Sequence, residues 1–136
     1  MIFQSNRTFR IWAYSVSHES LVIRSLMTYE DQEDYNEQTD HNIDLEFWGV
    51  SFINLPSTLP NLGVKLVEII NLPEYINREC CQYDEKAFEI TGEGKSFYVL
   101  ASGLLIGKNK WFQGDRIFDI GLNLKHDEII AFIPGK

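Results

Sequence analysis

The amino-acid sequence predicts an all-β or β-dominated α+β protein, a sandwich or barrel-like roll of about 7–9 short, mostly antiparallel strands with at most one short helix. Three observations lead there. Runs rich in β-branched and aromatic residues recur with a period of two, separated by short polar, glycine- or proline-bearing links. No stretch sustains a helical period over a long span, and there is no internal repeat. The chain has 136 residues, 44% hydrophobic and 13% aromatic, which suits one domain over residues 1–136 whose core needs no metal or disulfide staple.

Phe9–His18 (FRIWAYSVSH) alternates, with Arg10, Trp12, Tyr14 and Val16 on one face and Phe9, Ile11 and Ala13 on the other. Large side chains on both faces predict a strand buried on both sides. A short polar link, Ser17–Ser20, and a second extended run, Leu21–Met27, complete a hairpin. Residues 28–42 (TYEDQEDYNEQTDHN) then carry six acids and no Lys or Arg, with almost nothing apolar to bury. They predict a solvated, mobile loop.

Ile43–Leu55 (IDLEFWGVSFINL) begins with Ile43, Leu45 and Phe47 on one face and Asp44 and Glu46 on the other. The pattern breaks at Trp48-Gly49, and a glycine inside a strand marks a bulge or a bend, so this strand is expected to turn a corner at Gly49. Pro56 and Pro60 make a connection. Gly63–Ile70 reads as a strand, and Pro73–Tyr83 as a short helix opened by Pro-Glu, or else an irregular loop. Strand follows strand thereafter: Ala87–Thr91, a glycine-rich turn at 92–95, one long strand Ser96–Gly107, and a polar turn Lys108–Lys110. Extended pieces at Trp111-Phe112 and Arg116–Ile120, a polar step His126–Glu128 and a last strand Ile129–Ile133 complete the chain.

Twelve basic against twenty acidic residues give a net charge of −8. That composition weighs against a nucleic-acid binder, which needs a basic face, and against docking on anionic membranes. The N-terminus lacks the apolar run of a signal peptide, and no run approaches the roughly 20 apolar residues of a membrane helix. Cys80 and Cys81 are adjacent and do not make a disulfide framework, which points to a reducing, cytoplasmic setting.

No cofactor or metal motif is complete. Gly92-Glu93-Gly94-Lys95-Ser96 ends like a phosphate loop, but Glu89 stands where its first glycine belongs and a strand follows instead of a helix. The acidic loop lacks the central glycine of an EF-hand. His18, His41 and His126 form no zinc-ligand spacing, and no serine lies in a nucleophile elbow. Asp44 and Glu46, about 7 Å apart on one strand face, and His126 beside Asp127 and Glu128 are the only candidate acid–base groups. Water on that face, or cross-strand pairing of the carboxylates with Arg24 or Arg10, accounts for them without catalysis.

The segments FRIWAYSVSHESLVIRS (Phe9–Ser25) and NIDLEFWGVSFINLP (Asn42–Pro56) resemble a family of small bacterial proteins to which no activity is attached. The resemblance covers the first 56 residues and implies a bacterial, cytoplasmic protein, with no catalytic residue or cofactor to carry over. In size, charge and architecture the chain is also similar to small acidic all-β immunity proteins, an analogy of outline.

The leading expectation is therefore a non-catalytic acidic interaction protein, of the immunity-inhibitor kind, that meets a basic protein partner. Its candidate binding residues are Glu30, Asp31, Glu33, Asp34, Glu37 and Asp40 of the loop, with Trp111 or Phe112 as an exposed aromatic anchor. A small-molecule-binding β-barrel or sandwich is the alternative, and an enzyme built on Asp44, Glu46 or His126 the third reading. Open sheet edges leave room for a homodimer.

Overall fold

The computed structural model describes residues 1–16, 19–76, 85–110 and 126–134, and these residues carry eleven β-strands and a single 3₁₀ turn. In chain order the strands are β1 (Phe3–Gln4), β2 (Thr8–Ser15), β3 (Ser20–Ser25), β4 (Asn42–Trp48), β5 (Phe52–Asn54) and β6 (Thr58–Pro60). They continue as β7 (Gly63–Val67), β8 (Lys86–Gly92), β9 (Lys95–Ala101), β10 (Gly103–Asn109) and β11 (Glu128–Ile133). They form two antiparallel sheets, a five-stranded one in the order β1-β7-β8-β9-β5 and a six-stranded one in the order β11-β10-β4-β3-β2-β6. This is the all-β sandwich that the alternating runs predict.

The core lies between the sheets and follows the pleat. Phe9, Leu21, Ile23, Ile43, Leu45 and Phe47 point inward from the six-stranded sheet and meet Val64, Phe88, Ile90 and Val99 of the other. Phe47 and Phe88 pack edge-to-face across the interface, with ring centroids 5.4 Å apart. The outer face of the five-stranded sheet is covered as well. Leu72 and Ile76 pack with Ala87, Tyr98 and Leu100 in a second buried cluster.

The corner expected at Gly49 is present. Gly49 has φ +61°, and a Cβ there would sit 2.2 Å from the Ser102 hydroxyl, so both conformation and space call for glycine. Residues before it belong to β4 in one sheet and those after it to β5 in the other. The expected long strand Ser96–Gly107 is corrected on the same ground. It breaks at Ser102 into β9 and β10, which lie in different sheets. The Ser102 amide donates to the Trp48 carbonyl and the Ser51 amide to the Leu100 carbonyl, so the two chains turn the corner side by side. A run that stays apolar on both sides of such a corner carries no break in its pattern.

Other expectations are adjusted. The β2–β3 hairpin forms, but β2 is not buried on both faces. Its register with β3 shifts between Ile11 and Ala13, and beyond that bulge Tyr14 and Val16 are exposed. The run Gly63–Ile70 is a strand only to Val67 and then makes the 3₁₀ turn Ile69–Asn71. Of the helix expected at Pro73–Tyr83, residues 73–76 form a turn closed from the Ile76 amide to the Pro73 carbonyl, and the remainder lies outside the described residues. The glycine-rich segment 92–95 is a tight hairpin turn between β8 and β9, not a phosphate loop. The polar turn expected at Lys108–Lys110 begins later, because β10 runs to Asn109. The edge strands β1 and β6, two and three residues long, are too short to show a period.

Candidate functional site

The outer face of the six-stranded sheet differs from every other layer of the molecule because it buries charge. Side chains that alternate away from the core place Arg10 of β2 opposite Arg24 of β3, Arg24 opposite Asp44 of β4, and Asp44 opposite Gly107 of β10. Arg24 grips Asp44 with two parallel bonds, Nε to Oδ1 at 2.6 Å and Nη2 to Oδ2 at 2.8 Å, and both side chains are fully buried. The Trp12 ring lies 5.4 Å from the Arg24 guanidinium carbon, a cation–π contact.

The network extends along β10. Asn109 Nδ2 donates to Asp44 Oδ2 at 2.8 Å, and Asn42 Nδ2 donates to Asn109 Oδ1 at 2.9 Å. The other contact of Asn109 Nδ2 is His126 Nδ1, 3.1 Å away, which makes that ring nitrogen the acceptor and leaves the proton on Nε2. Nε2 faces Glu46 Oε1 at 3.2 Å, without the alignment of a hydrogen bond. Gly107 makes this possible, since a Cβ at that position would stand 2.4 Å from the imidazole. The structure thus joins Asp44 and Glu46 of β4 to His126, which lies far from them in sequence. Asp44 takes Arg24 as its partner, one of the two arginines expected. His126, with its side chain 2% exposed, and Asp44 are buried and tied into a bonded network.

At one end of this network lies a pocket of about 390 Å³. Arg7, Arg10, Arg24 and Ser25 line it from the β2–β3 side, and Thr28, Asp34 and Thr39 line it from the acidic loop. Arg7 precedes β2 and bridges strand ends. Its Nε donates to Ser25 Oγ, and its Nη2 reaches the carbonyls of Ser25, Leu26 and His41 at 2.9–3.1 Å. Burial lowers the Arg7 pKa, and the charge of Asp44 offsets this in part. Nη1 of Arg7 and Nη1 of Arg24 are buried and have no hydrogen-bond partner among the described residues. Arg10 is exposed. Sequence reasoning did not single out Arg7 or Arg10 as pocket residues. Arg7 stands outside any strand period, and its partners are backbone carbonyls of residues 18 to 34 positions away.

The acidic loop is organised by its own bonds. Thr28 and Thr39 tie its two ends, hydroxyl to hydroxyl at 2.7 Å and Thr28 amide to Thr39 carbonyl at 2.8 Å. Asn36 Oδ1 accepts the Gln38 amide in a local turn. Glu30, Asp31, Glu33, Asp34 and Glu37 are exposed as expected, and Asp34 also lines the pocket. Asp40 is half-buried. Its Oδ1 lies 3.0 Å from His41 Nδ1, and Lys110 is 3.8 Å from its other oxygen. The His41 contact lowers the Asp40 pKa against a smaller opposing effect of burial. Trp111, Phe112, Cys80, Cys81 and His18 lie outside the described residues. Among the described residues no helix is long and apolar enough to cross a membrane, and no three His, Cys, Asp or Glu side chains cluster for a metal.

The sequence matches no protein-family model, no curated protein and no solved structure. The functional reading therefore rests on this geometry.

Proposed function

We propose that the chain is a non-catalytic binding protein that receives a small ligand in the pocket between the β2–β3 hairpin and the acidic loop. The observation that carries this reading is the pocket, whose volume of about 390 Å³ is in the range of small-ligand sites and whose lining includes Arg7, Arg10 and Arg24. Among the described residues Asp34 is the one carboxylate in its lining, and Asp44, Glu46 and His126 do not line it, which favours binding over acid–base chemistry. A thermal-shift screen with a metabolite library, repeated on Thr8→Trp, tests the reading. Thr8 is exposed and lines the pocket, so a bulky ring there should fill it without disturbing the core. Binding that is lost in Thr8→Trp supports the proposal; no binding, or binding indifferent to the substitution, defeats it.

A second reading is supported by the loop. Glu30, Asp31, Glu33, Asp34 and Glu37 are exposed together on a segment clasped by Thr28 and Thr39. Such a negative surface suits a basic protein partner, as an immunity-type inhibitor would need, in the bacterial cytoplasm to which the resemblance and the adjacent cysteines point. Replacing all six loop acids, Asp40 included, with Asn or Gln should abolish salt-sensitive capture of such a partner.

A further inference from the structure

We infer that the pocket is an anion site, taking one carboxylate or phosphate group of a small ligand against the exposed Arg10, over the buried charge of Arg7 and Arg24. This rests on the ligand-binding reading above and deepens it by naming the chemistry.

The argument begins with charge. Two guanidinium groups, Arg24 fully buried and Arg7 half-buried, share one buried carboxylate, Asp44, and Arg24 already occupies both of its oxygens. Arg7 is left with neutral carbonyl and hydroxyl partners. A desolvated cation without a counter-ion is costly, and burial does lower the Arg7 pKa. The second step is register. Arg10 lies directly across from Arg24, and like charges facing each other across a strand pair repel. Among the described residues the Arg10 side chain makes no hydrogen bond or ion pair, so its guanidinium remains available at the pocket. An anion placed beside these groups offsets the repulsion and supplies the missing counter-charge.

The surroundings restrict which anion fits. Among the described residues Asp34 is the only negative side chain in the lining, and it makes no ion pair with the arginines. The exposed acids of the loop stand beside the pocket and repel long polyanions such as nucleic acid. A compact ligand with a single anionic group suffers least from that rim.

The test titrates the intact chain with sodium phosphate and with sodium acetate, against sodium chloride at matched ionic strength, reading Tm. Saturable stabilisation by phosphate or by acetate, absent with chloride, is expected, and the one that acts identifies the headgroup. Phosphate also stabilises folded proteins by exclusion from their surface. Arg10→Gln separates the two effects, because Arg10 is exposed and unpaired and its loss should leave folding intact. It should raise the half-saturating concentration about tenfold or more. Lys95→Gln, in the five-stranded sheet and outside the pocket lining, should change nothing while removing the same charge. Stabilisation that matches chloride, or that survives Arg10→Gln, overturns the inference. If the library screen instead yields neutral or cationic ligands that Thr8→Trp excludes, the anion assignment fails while ligand binding stands.

Discussion

The two sheets each bury part of their outer face, by opposite means. Over the five-stranded sheet, Leu72 and Ile76 close on Ala87, Tyr98 and Leu100. Over the six-stranded sheet, the buried layer is Arg24, Asp44, Asn42 and Asn109, with His126 laid across Gly107. An apolar cover is non-directional and tolerates exchange of similar volumes. A polar one is directional, and each member depends on its partner being present. The contrast teaches where to look for function. The face that spends its burial on charge is also the face that ends in a pocket lined by three arginines.

The largest effect should come from breaking the charged layer on one side only. Asp44→Ala leaves Arg24 buried without its carboxylate and should cost about 3–5 kcal/mol in urea unfolding. Arg24→Met combined with Asp44→Leu removes both charges and should recover more than half of that loss; a double variant as unstable as the single one would show that the pairing is not what makes Asp44 matter. On the apolar face, Leu100→Ala should cost about 2–4 kcal/mol, whereas Leu100→Met should cost under about 1.5 kcal/mol by the same measurement. If the conservative exchange proves as costly as the truncation, the apolar face is not the tolerant one.

Gly107→Ala sharpens the comparison at one atom. The added methyl meets the His126 ring, so the imidazole must leave Asn109 and Glu46, for a cost of roughly 1–3 kcal/mol. The His126 ring resonances should shift in the same sample.

The smallest effects belong to the exposed loop. Neutralising Glu30, Asp31, Glu33 or Glu37 singly should change stability by no more than about 0.5 kcal/mol. Asp40 differs in its pH behaviour. Its folded pKa is lowered by His41, so its contribution is present above the ordinary carboxylate range and is lost as pH falls through the lowered value. Asp40→Asn should flatten the acid limb of a Tm-against-pH profile.

Much of the frame was legible in the sequence because a period of two needs only local pattern. The hairpin around Glu19, the corner at Gly49, the turn at 92–95 and the solvated acids of the loop all declared themselves through residue type. Pairing of Asp44 with Arg24 was among the options that pattern allowed. The break at Ser102 was not legible, since Leu100-Ala101 and Leu104-Leu105 are apolar on either side of a turn between sheets. The pocket was hidden for a related reason. Arg7 reaches backbone carbonyls, and backbone carries no signature in sequence. The loop acids drew attention to the charge that is most exposed, while the arginines beside them reveal their arrangement only once β2, β3 and β4 are in register.

The shared corner at Gly49 and Ser102 has a consequence for how the molecule assembles. The segments 42–54 and 95–109 pair with each other on both sides of that bend, so one antiparallel ribbon contributes strands to both sheets. Neither sheet can close before two stretches some fifty residues apart have met. Folding should be slow for a chain of this length, on the order of milliseconds to seconds. Amides on both sides of the bend should exchange with solvent through the same global opening, because a ribbon common to both sheets cannot be released from one while it stays in the other.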